Sequence, residues 1–103
     1  MAGNAQMKYS GKIVLLSRTA YLPGRDDGFL RQLCDARIEL FCVLGVDAQA
    51  WEDALDWMCI GEDGQGRHCI VTTSHRDESL AQVIDFAQRF DTRMAHAVQV
   101  IER

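Results

Sequence analysis

Residues 12–17 read KIVLLS, and positions 13–16 of this segment are apolar in succession. An apolar run without alternation predicts a strand buried on both faces, as in parallel sheets that are covered by helices. Three further segments are predicted strands: IELFCVL at 38–44, HCIVTT at 68–73 and AVQVI at 97–101. The sequence therefore predicts four strands, with a longer segment between each strand and the next.

The segments between the strands carry apolar residues at helical spacing. A first helix is expected over about residues 27–36, with Asp26 just before it. Asp47 can cap a second helix and Ser74 a third, where Asp77 completes a pair similar to a capping box. The residues expected to face inward from the second and third helices are Trp51, Ala54, Leu55, Met58, Leu80, Val83, Ile84 and Ala87.

This alternation predicts an α/β fold of three layers, whose strands pair in parallel through right-handed crossovers. The simplest arrangement is a four-stranded sheet in the order 2-1-3-4 with three helices, a truncated flavodoxin-like or Rossmann-like domain. We expect one domain across residues 1–103, with residues 1–11 as a loosely ordered N-terminal segment. In this order helix one packs on one face and helices two and three on the other. Strands three and four then stay bare on the helix-one side unless Tyr9, Tyr21 and Leu22, or a second copy of the chain, cover them.

Composition disfavours two classes of partner. The formal charge is −4, and the 11 Lys and Arg residues are scattered along the chain. A nucleic-acid partner is not expected, because neutralising phosphates requires a concentrated cationic face. No apolar segment reaches the roughly 18 residues that cross a membrane, and residues 1–12 lack the apolar run of a secretory signal. We expect a cytoplasmic protein without a membrane partner.

The cysteines give no sign of a metal site. Cys34, Cys42, Cys59 and Cys69 lie 8, 17 and 10 residues apart, and no pair has the short spacing of a zinc knuckle. Each lies in an apolar stretch, so all four are expected to be reduced, buried thiols rather than members of a disulfide.

The segment HCIVTTSHR, residues 68–76, is similar to the cysteine-to-arginine loop of cysteine-dependent phosphatases. That loop has five residues between the cysteine and the arginine and wraps backbone N–H groups around a phosphate. Six residues separate Cys69 from Arg76, none of them glycine, and Cys69 begins its predicted strand instead of ending it. A thiol buried in a sheet is inert, so Cys69 is not expected to be a nucleophile.

Acidic residues stand at the start of every predicted helix: Asp26 and Asp27, then Asp47, then Asp77 and Glu78. Phosphate-binding folds instead present bare helix N-termini after glycine-rich turns. A carboxylate at such a position is favourable by about 0.3–1 kcal/mol and repels a phosphate placed beside it. The Gly64 and Gly66 pair precedes a strand rather than following one. We therefore predict no nucleotide, no other cofactor and no metal.

In open parallel sheets, ligands bind beyond the carboxyl ends of the strands, where the strand order reverses. In the predicted order this crevice lies between strands one and three, and its expected lining is Ser17, Arg18, Thr19, Thr72, Thr73, Ser74 and His75. A small-molecule site there would use Arg18, Thr73, Ser74 and His75. The surrounding cations, which also include Arg25 and Arg76, are expected to pair with adjacent acids at the surface.

The segments IELFCVLG and HCIVTTSHRDES, with the helix end FAQRF, resemble a family of small bacterial α/β proteins described only as a domain of unknown function. The resemblance covers most of the chain and implies a Rossmann-like or flavodoxin-like fold. It implies no catalytic or binding residues, because the family has no characterised member.

Two functional hypotheses of different class remain. The first is a non-catalytic interaction or regulatory module, which forms a homodimer through the bare sheet face or the strand-four edge. It can also bind a protein through the acidic surface of helix two, including Trp57 where that ring is exposed. The second is a small enzyme or ligand-binding domain that uses the crevice between strands one and three.

Overall fold

The structure is a computed structural model that describes residues 9–60 and 70–103, apart from the side chain of Ile60. Strands and helices alternate along the chain. Their bounds are β1 Lys12–Ser17, α1 Pro23–Asp35, β2 Leu40–Gly45, α2 Ala48–Ile60, β3 Val71–His75, α3 Leu80–Arg89 and β4 Val98–Glu102. The predicted α/β class is confirmed, with four parallel strands and three helices.

The strand order is β3-β2-β1-β4, so the predicted order 2-1-3-4 was wrong. The physical reason lies in the burial of the strands. Residues 40–44 of β2 are all buried, as are residues 12–15 of β1, and both strands are central. The strands β3 and β4 contain polar and partly exposed residues, which suit the edges of a sheet. The predicted order would have placed the apolar β2 at an edge and the polar β3 inside.

The helices form two unequal layers. Side chains of α1 and α2 pack together against Ile13, Leu15 and Phe41, whereas α3 alone covers Val14 and Cys42 on the opposite face. The chain steps from β1 to β2 to β3 in one direction, and right-handed crossovers then place α1 and α2 on the same face. The predicted pairing of helices two and three on one face was therefore wrong.

The predicted bare surface was also misplaced. On the α1 side, Thr72 of β3 bonds to α2, and Ile101 of β4 packs against the core of that side. The open positions are instead on the α3 side, at the two edges of the sheet. Val71 of β3 is 43% exposed there, and Val100 of β4 is 40% exposed. A single helix of ten residues does not cover four strands.

The helical faces follow the predicted pattern. Trp51, Leu55, Val83 and Ala87 are buried, and the remaining predicted inward residues, Ala54, Met58, Leu80 and Ile84, are half-buried. The helix α1 begins earlier than predicted, because Pro23 fits the first position of a helix, where its missing N–H costs nothing.

The predicted start of α3 was wrong. Ser74 lies inside β3, and the N-cap is Ser79, which forms a capping box with Gln82. The predicted first residues of strand three, 68 and 69, lie outside the described residues. So do residues 1–8 of the predicted loose N-terminal segment. Within that segment, Tyr9 Oη donates to Gln32 Oε1 at 2.8 Å, and the Ser10 N–H donates to Gln99 Oε1 at 2.8 Å.

A buried lysine explains how α3 is held on the sheet. Lys12 of β1 lies on the α3 face, and its Nζ donates to the Phe90 carbonyl at 2.7 Å and to the Gln88 carbonyl at 3.3 Å. These carbonyls belong to the C-terminal end of α3, where a positive charge is favourable and where the carbonyls lack partners within the helix.

A buried carboxylate connects the end of β4 to the start of α1. Asp26, in the first turn of α1, is fully buried. Its carboxylate accepts from Arg25 Nε and Nη2 at 2.9 and 2.8 Å, from Arg103 Nη2 at 3.1 Å and from the Leu22 N–H at 2.9 Å. Arg103 also lies over the Phe29 ring, 4.4 Å from its centroid. The Arg25 guanidinium is the main reason that the pKa of Asp26 is lowered to about 2.

We predict that Asp26→Asn lowers the free energy of unfolding by about 2–4 kcal/mol at pH 7, because two guanidinium groups lose a buried partner. Since the folded pKa of Asp26 lies near 2 and its ordinary value is 3.8, this stability is present above the ordinary value. It is lost as the pH falls through the folded value. Urea denaturation at pH 7 and in acid measures the free energy of unfolding of wild type and of Asp26→Asn. The difference between these two free energies should be smaller in acid than at pH 7.

The matched control for this substitution is Asp53→Asn, which changes an exposed carboxylate and should alter stability by less than about 0.5 kcal/mol. A difference between wild type and Asp26→Asn that stayed constant from pH 7 to pH 2 would contradict the role given to Asp26.

Candidate functional site

Strands one and three are not neighbours in the sheet, so the predicted crevice between them does not form. The strand β2 lies between them, so β1 and β3 are separated by two strand spacings, or roughly 10 Å. Arg18, after β1, pairs with Glu102 of β4 with an Nη2–Oε1 distance of 3.4 Å, and both side chains are exposed. The structure therefore separates Arg18 from Thr73, Ser74 and His75.

The carboxyl ends of β1 and β2 are filled by side chains of the protein itself. Ser17 Oγ accepts from the indole N–H of the buried Trp51 at 2.9 Å and donates to the Thr19 carbonyl at 2.7 Å. Gly45 has a φ of 101°, and a Cβ at this position would lie 2.2 Å from the Ser17 carbonyl oxygen. Only glycine fits so close an approach between the two strand ends.

Tyr21 closes the same region from the loop after β1. Its ring packs edge-on against Trp51 with the centroids 5.3 Å apart, and its backbone N–H donates to Asp47 Oδ2 at 3.1 Å. The hydroxyl of Tyr21 donates to Asp27 Oδ1. The pKa of Tyr21 is raised to about 12. Burial is the largest cause, and this bond to a carboxylate is the second. The loop is therefore fixed to both helices α1 and α2.

Acidic residues lie near the three helix starts, but Asp77 and Glu78 are not in the first turn of α3, where the sequence analysis placed them. Asp26 lies in the first turn of α1, Asp47 comes directly before α2, and Asp77 and Glu78 precede the N-cap of α3. Asp26 and Asp47 already accept backbone N–H groups, from Leu22 and Tyr21. An incoming phosphate would compete with carboxylates that are already bonded.

A chain of hydrogen bonds lies on the α3 face of β3. The buried His75 ring has its Nδ1 2.6 Å from Glu78 Oε1 and its Nε2 2.8 Å from Thr73 Oγ1. With the proton on Nδ1, the ring donates to the carboxylate and accepts from the threonine hydroxyl. Phe86 of α3 covers the ring edge-on, with the centroids 5.1 Å apart. The order carboxylate, imidazole, hydroxyl is that of hydrolase triads, which are recognised by geometry.

Two neighbours complete the surroundings of this chain. Cys42 of β2 lies opposite Thr73 in the strand register, and burial raises the pKa of the Cys42 thiol. A groove of about 690 Å³ runs along α3, and its lining includes Glu78 and Phe86, which both contact His75. The chain of hydrogen bonds therefore adjoins an open groove through these two residues.

Of the four residues predicted to bind a ligand, the structure brings only Thr73 and His75 together. They share a face because they are two positions apart in a strand. Ser74 faces the opposite layer, where its Oγ donates to Gln49 Oε1 at 3.3 Å. Glu78 was missed by the sequence analysis. The only signal for a bond to His75 was a carboxylate three residues after it. The sequence analysis assigned that carboxylate to the start of the third helix instead.

The outward face of α2 carries an exposed tryptophan among acidic residues. Trp57 is 75% exposed, and Asp53, one turn earlier, is also exposed and accepts from Gln49 Nε2 at 3.0 Å. Glu52 and Asp56 accept from the Thr72 hydroxyl at 3.2 and 2.6 Å. No Lys or Arg occurs in the α2 sequence. The condition set by the sequence analysis, an exposed Trp57 ring, is met.

The described residues also bear on metals and membranes. Within residues 9–60 and 70–103, no three His, Cys, Asp or Glu side chains are grouped as they would be to hold a metal ion. No helix in the described part of the chain is long and apolar enough to cross a membrane. Cys69 lies outside the described residues, so its predicted lack of reactivity stays a prediction.

No curated protein and no solved structure matches this sequence. One family model does, described as Domain of unknown function (DUF7684), and it matches residues 3–102. The resemblance drawn from the sequence to a family of unknown function is confirmed at that level. Because the match spans nearly the whole chain, the protein belongs to the DUF7684 family.

Proposed function

We propose that this chain is a non-catalytic interaction module that binds a basic protein segment through the outer face of α2. The observation that carries the proposal is Trp57, a large apolar side chain that is 75% exposed. Tryptophan is enriched among the residues that dominate binding energy at protein interfaces. Because the indole ring is large and apolar, a partner that covers it would bury a substantial apolar area.

The charge around Trp57 selects the chemistry of the partner. Asp53, one turn before Trp57, is exposed on the same face, Glu52 and Asp56 lie toward Thr72 on the same helix, and the whole chain has a formal charge of −4. A Lys or Arg side chain over the indole face gains a cation–π contact, which is strongest for tryptophan, as well as attraction to the carboxylates. A basic partner segment therefore satisfies both features of this surface.

A Rossmann-like relationship is kept as a proposal, and it supports a function away from the sheet ends. The observed order 3-2-1-4 is the first part of the Rossmann order 3-2-1-4-5-6, in which ligands bind where β1 and β4 meet. At this boundary Arg103 pairs with Asp26, and its backbone N–H donates to the Leu16 carbonyl at 3.1 Å. The usual ligand position is therefore occupied by an ion pair of the chain.

We predict that Trp57→Ala weakens binding of a fluorescent arginine-rich peptide at least tenfold, because truncation of a central aromatic residue at an interface typically costs this much. Fluorescence anisotropy at moderate salt measures the dissociation constant. The matched control is Met94→Ala, which truncates a side chain that is 68% exposed at a different place. Both substitutions leave the net charge unchanged.

Equal affinity of the Trp57→Ala and Met94→Ala chains for the peptide would show that binding follows bulk negative charge, and the proposal would fail. Asp53→Asn should weaken binding and reduce its salt dependence, since one fewer carboxylate then attracts the peptide. Once the peptide result is positive, a pull-down with wild type and Trp57→Ala identifies the natural partner.

A second candidate function, acyl-ester hydrolysis, is favoured by the Thr73, His75 and Glu78 chain. In this function Thr73 Oγ1 attacks the ester carbonyl, His75 Nε2 takes its proton, and Glu78 orients the ring. The ester C–O bond breaks, His75 gives the proton to the leaving alcohol, and water then hydrolyses the acyl-threonine. The competing explanation is structural, since the same bonds satisfy a buried imidazole and fix β3 to the start of α3.

Thr73→Val separates these explanations because it removes the hydroxyl and nearly preserves volume. If Thr73 is the nucleophile, turnover of short nitrophenyl esters should fall roughly 1,000-fold in this variant, and Thr73→Ser should retain part of it. The release of nitrophenol is measured by absorbance. A wild-type chain that hydrolyses these esters no faster than Thr73→Val would exclude the second candidate.

We also propose that the chain forms a homodimer through the outer edge of β4, with which no described strand pairs. The cytoplasmic location likewise remains a proposal from the sequence.

For the homodimer, light scattering at micromolar concentration should report twice the monomer mass of 11.6 kDa. Val100→Lys should restore the monomer, because a charge on an edge strand opposes pairing. A wild-type chain that is monomeric under these conditions would contradict the homodimer.

A further inference from the structure

The last turns of α1 and α2 hold two cysteines that face each other. Cys34 Sγ and Cys59 Sγ are 4.0 Å apart, although the residues are separated by 25 positions in sequence. Both are half-buried free thiols, in contrast to the buried Cys42. The predicted role of small buried hydrophobes fits Cys42 better than it fits this pair.

The position of the two thiols suits formation of a bond between them. A disulfide requires the sulfurs to approach to about 2.05 Å, so the sulfurs must close by roughly 2 Å. Each cysteine is the next-to-last residue of its helix, since α1 ends at Asp35 and α2 at Ile60. Helix ends fray and adjust more easily than helix centres.

The two thiols are also electronically unequal. The hydrogen bond from Cys59 lowers the pKa of the Cys34 thiol, while burial and the Asp35 carboxylate raise it and the Arg31 guanidinium adds to the lowering. The pKa of Cys59 is raised, chiefly by its bond to Cys34. Cys34 is therefore the thiol that ionises first, which is the property of the attacking member of a reactive dithiol.

We propose that Cys34 and Cys59 form a dithiol site that a hydroperoxide converts to a reversible intramolecular disulfide. The Cys34 thiolate attacks one peroxide oxygen, so an S–O bond forms, the O–O bond breaks, and the departing hydroxide takes a proton to become water. The Cys59 thiol then loses its proton and attacks the Cys34 sulfur, so the S–S bond forms, the S–O bond breaks, and the departing hydroxide takes that proton to become a second water.

The atoms and electrons of this reaction balance. Two thiols lose two protons and two electrons in total, and one hydrogen peroxide takes them up to become two waters. The second step is assisted by the first, because a sulfenic acid is neutral. The negative charge on Cys34 that opposes ionisation of Cys59 is then absent. A cellular dithiol reductant reverses the link by thiol–disulfide exchange.

The link would join α1 to α2 close to the surface proposed for binding. Cys59 lies two residues after Trp57, so the bond would fix the turn of α2 that carries the exposed indole. The dithiol site itself stands on the geometry of the two sulfurs and does not depend on the proposed function. Its test requires no binding partner.

The experiment treats the reduced full chain with hydrogen peroxide, traps free thiols with iodoacetamide and counts them by mass spectrometry. Trapped thiols should fall from four to two, and dithiothreitol should restore four. Tryptic peptides 32–37 and 38–67 should appear as one linked species, and fragmentation should place the bond at Cys59 rather than Cys42. The reduced wild type should carry four trapped thiols, and each single cysteine-to-serine variant has three as its reduced reference.

Three conservative variants decide the assignment. Cys34→Ser and Cys59→Ser should each lose the link while circular dichroism shows an unchanged fold, and Cys69→Ser should retain it. The proposal is overturned if wild type keeps four thiols at a peroxide dose that oxidises a control dithiol, or if Cys34 links to Cys69. A link that forms equally well in urea would also overturn it, because selectivity must come from the folded geometry.

Discussion

The ion pair between Asp26 and Arg103 is the contact on which the arrangement of the sheet ends depends. The carboxylate is fully buried, and it receives donors from Arg25, Arg103 and the Leu22 N–H. A buried carboxylate is tolerated only with such compensation, so its partners are fixed in place. These partners lie where β1 meets β4, and the pair therefore occupies the position that sheets of this order commonly use for ligands.

Because the sheet ends are occupied by the protein's own side chains, the distinctive chemistry of this chain lies elsewhere in the fold. At the ends of β1 and β2, Trp51 contacts both Ser17, through its indole N–H, and the ring of Tyr21, so these three side chains occupy the space there. The remaining distinctive features are the exposed Trp57 on α2, the Thr73 and His75 pair on β3 and the two thiols at the helix ends. Each of these lies outside the boundary between β1 and β4, and each has a different chemical character.

Much of the fold follows from the sequence, because burial on both faces leaves a direct trace in KIVLLS and in LFCVL. The inward faces of α2 and α3 were predicted from apolar residues at helical spacing. The strand order was not, since right-handed crossovers allow either direction for the second step. The polar content of VTTSH did indicate an edge strand. The predicted order 2-1-3-4 contradicts that signal, because it places this strand inside the sheet.

The candidate sites were less predictable, because they depend on side chains that meet across the fold. Thr73 and His75 are two residues apart, so their pairing is local once the strand is known. Cys34 and Cys59 meet only because α1 and α2 pack on the same face, which the predicted topology placed on opposite sides. Arg103 reaches Asp26 for a similar reason, since β4 lies beside β1. No spacing in the sequence indicates either contact.

The central claim is that the sheet ends are closed to nucleotides by the protein's own side chains. It is tested most directly by titrating the nitrogen-15-labelled chain with FMN, NAD and ATP and following the backbone amides by nuclear magnetic resonance. The account predicts no saturable shifts clustered in residues 18–28, 45–48 or 76–80 at millimolar ligand. Saturable shifts in those segments, lost on addition of excess inorganic phosphate, would contradict it.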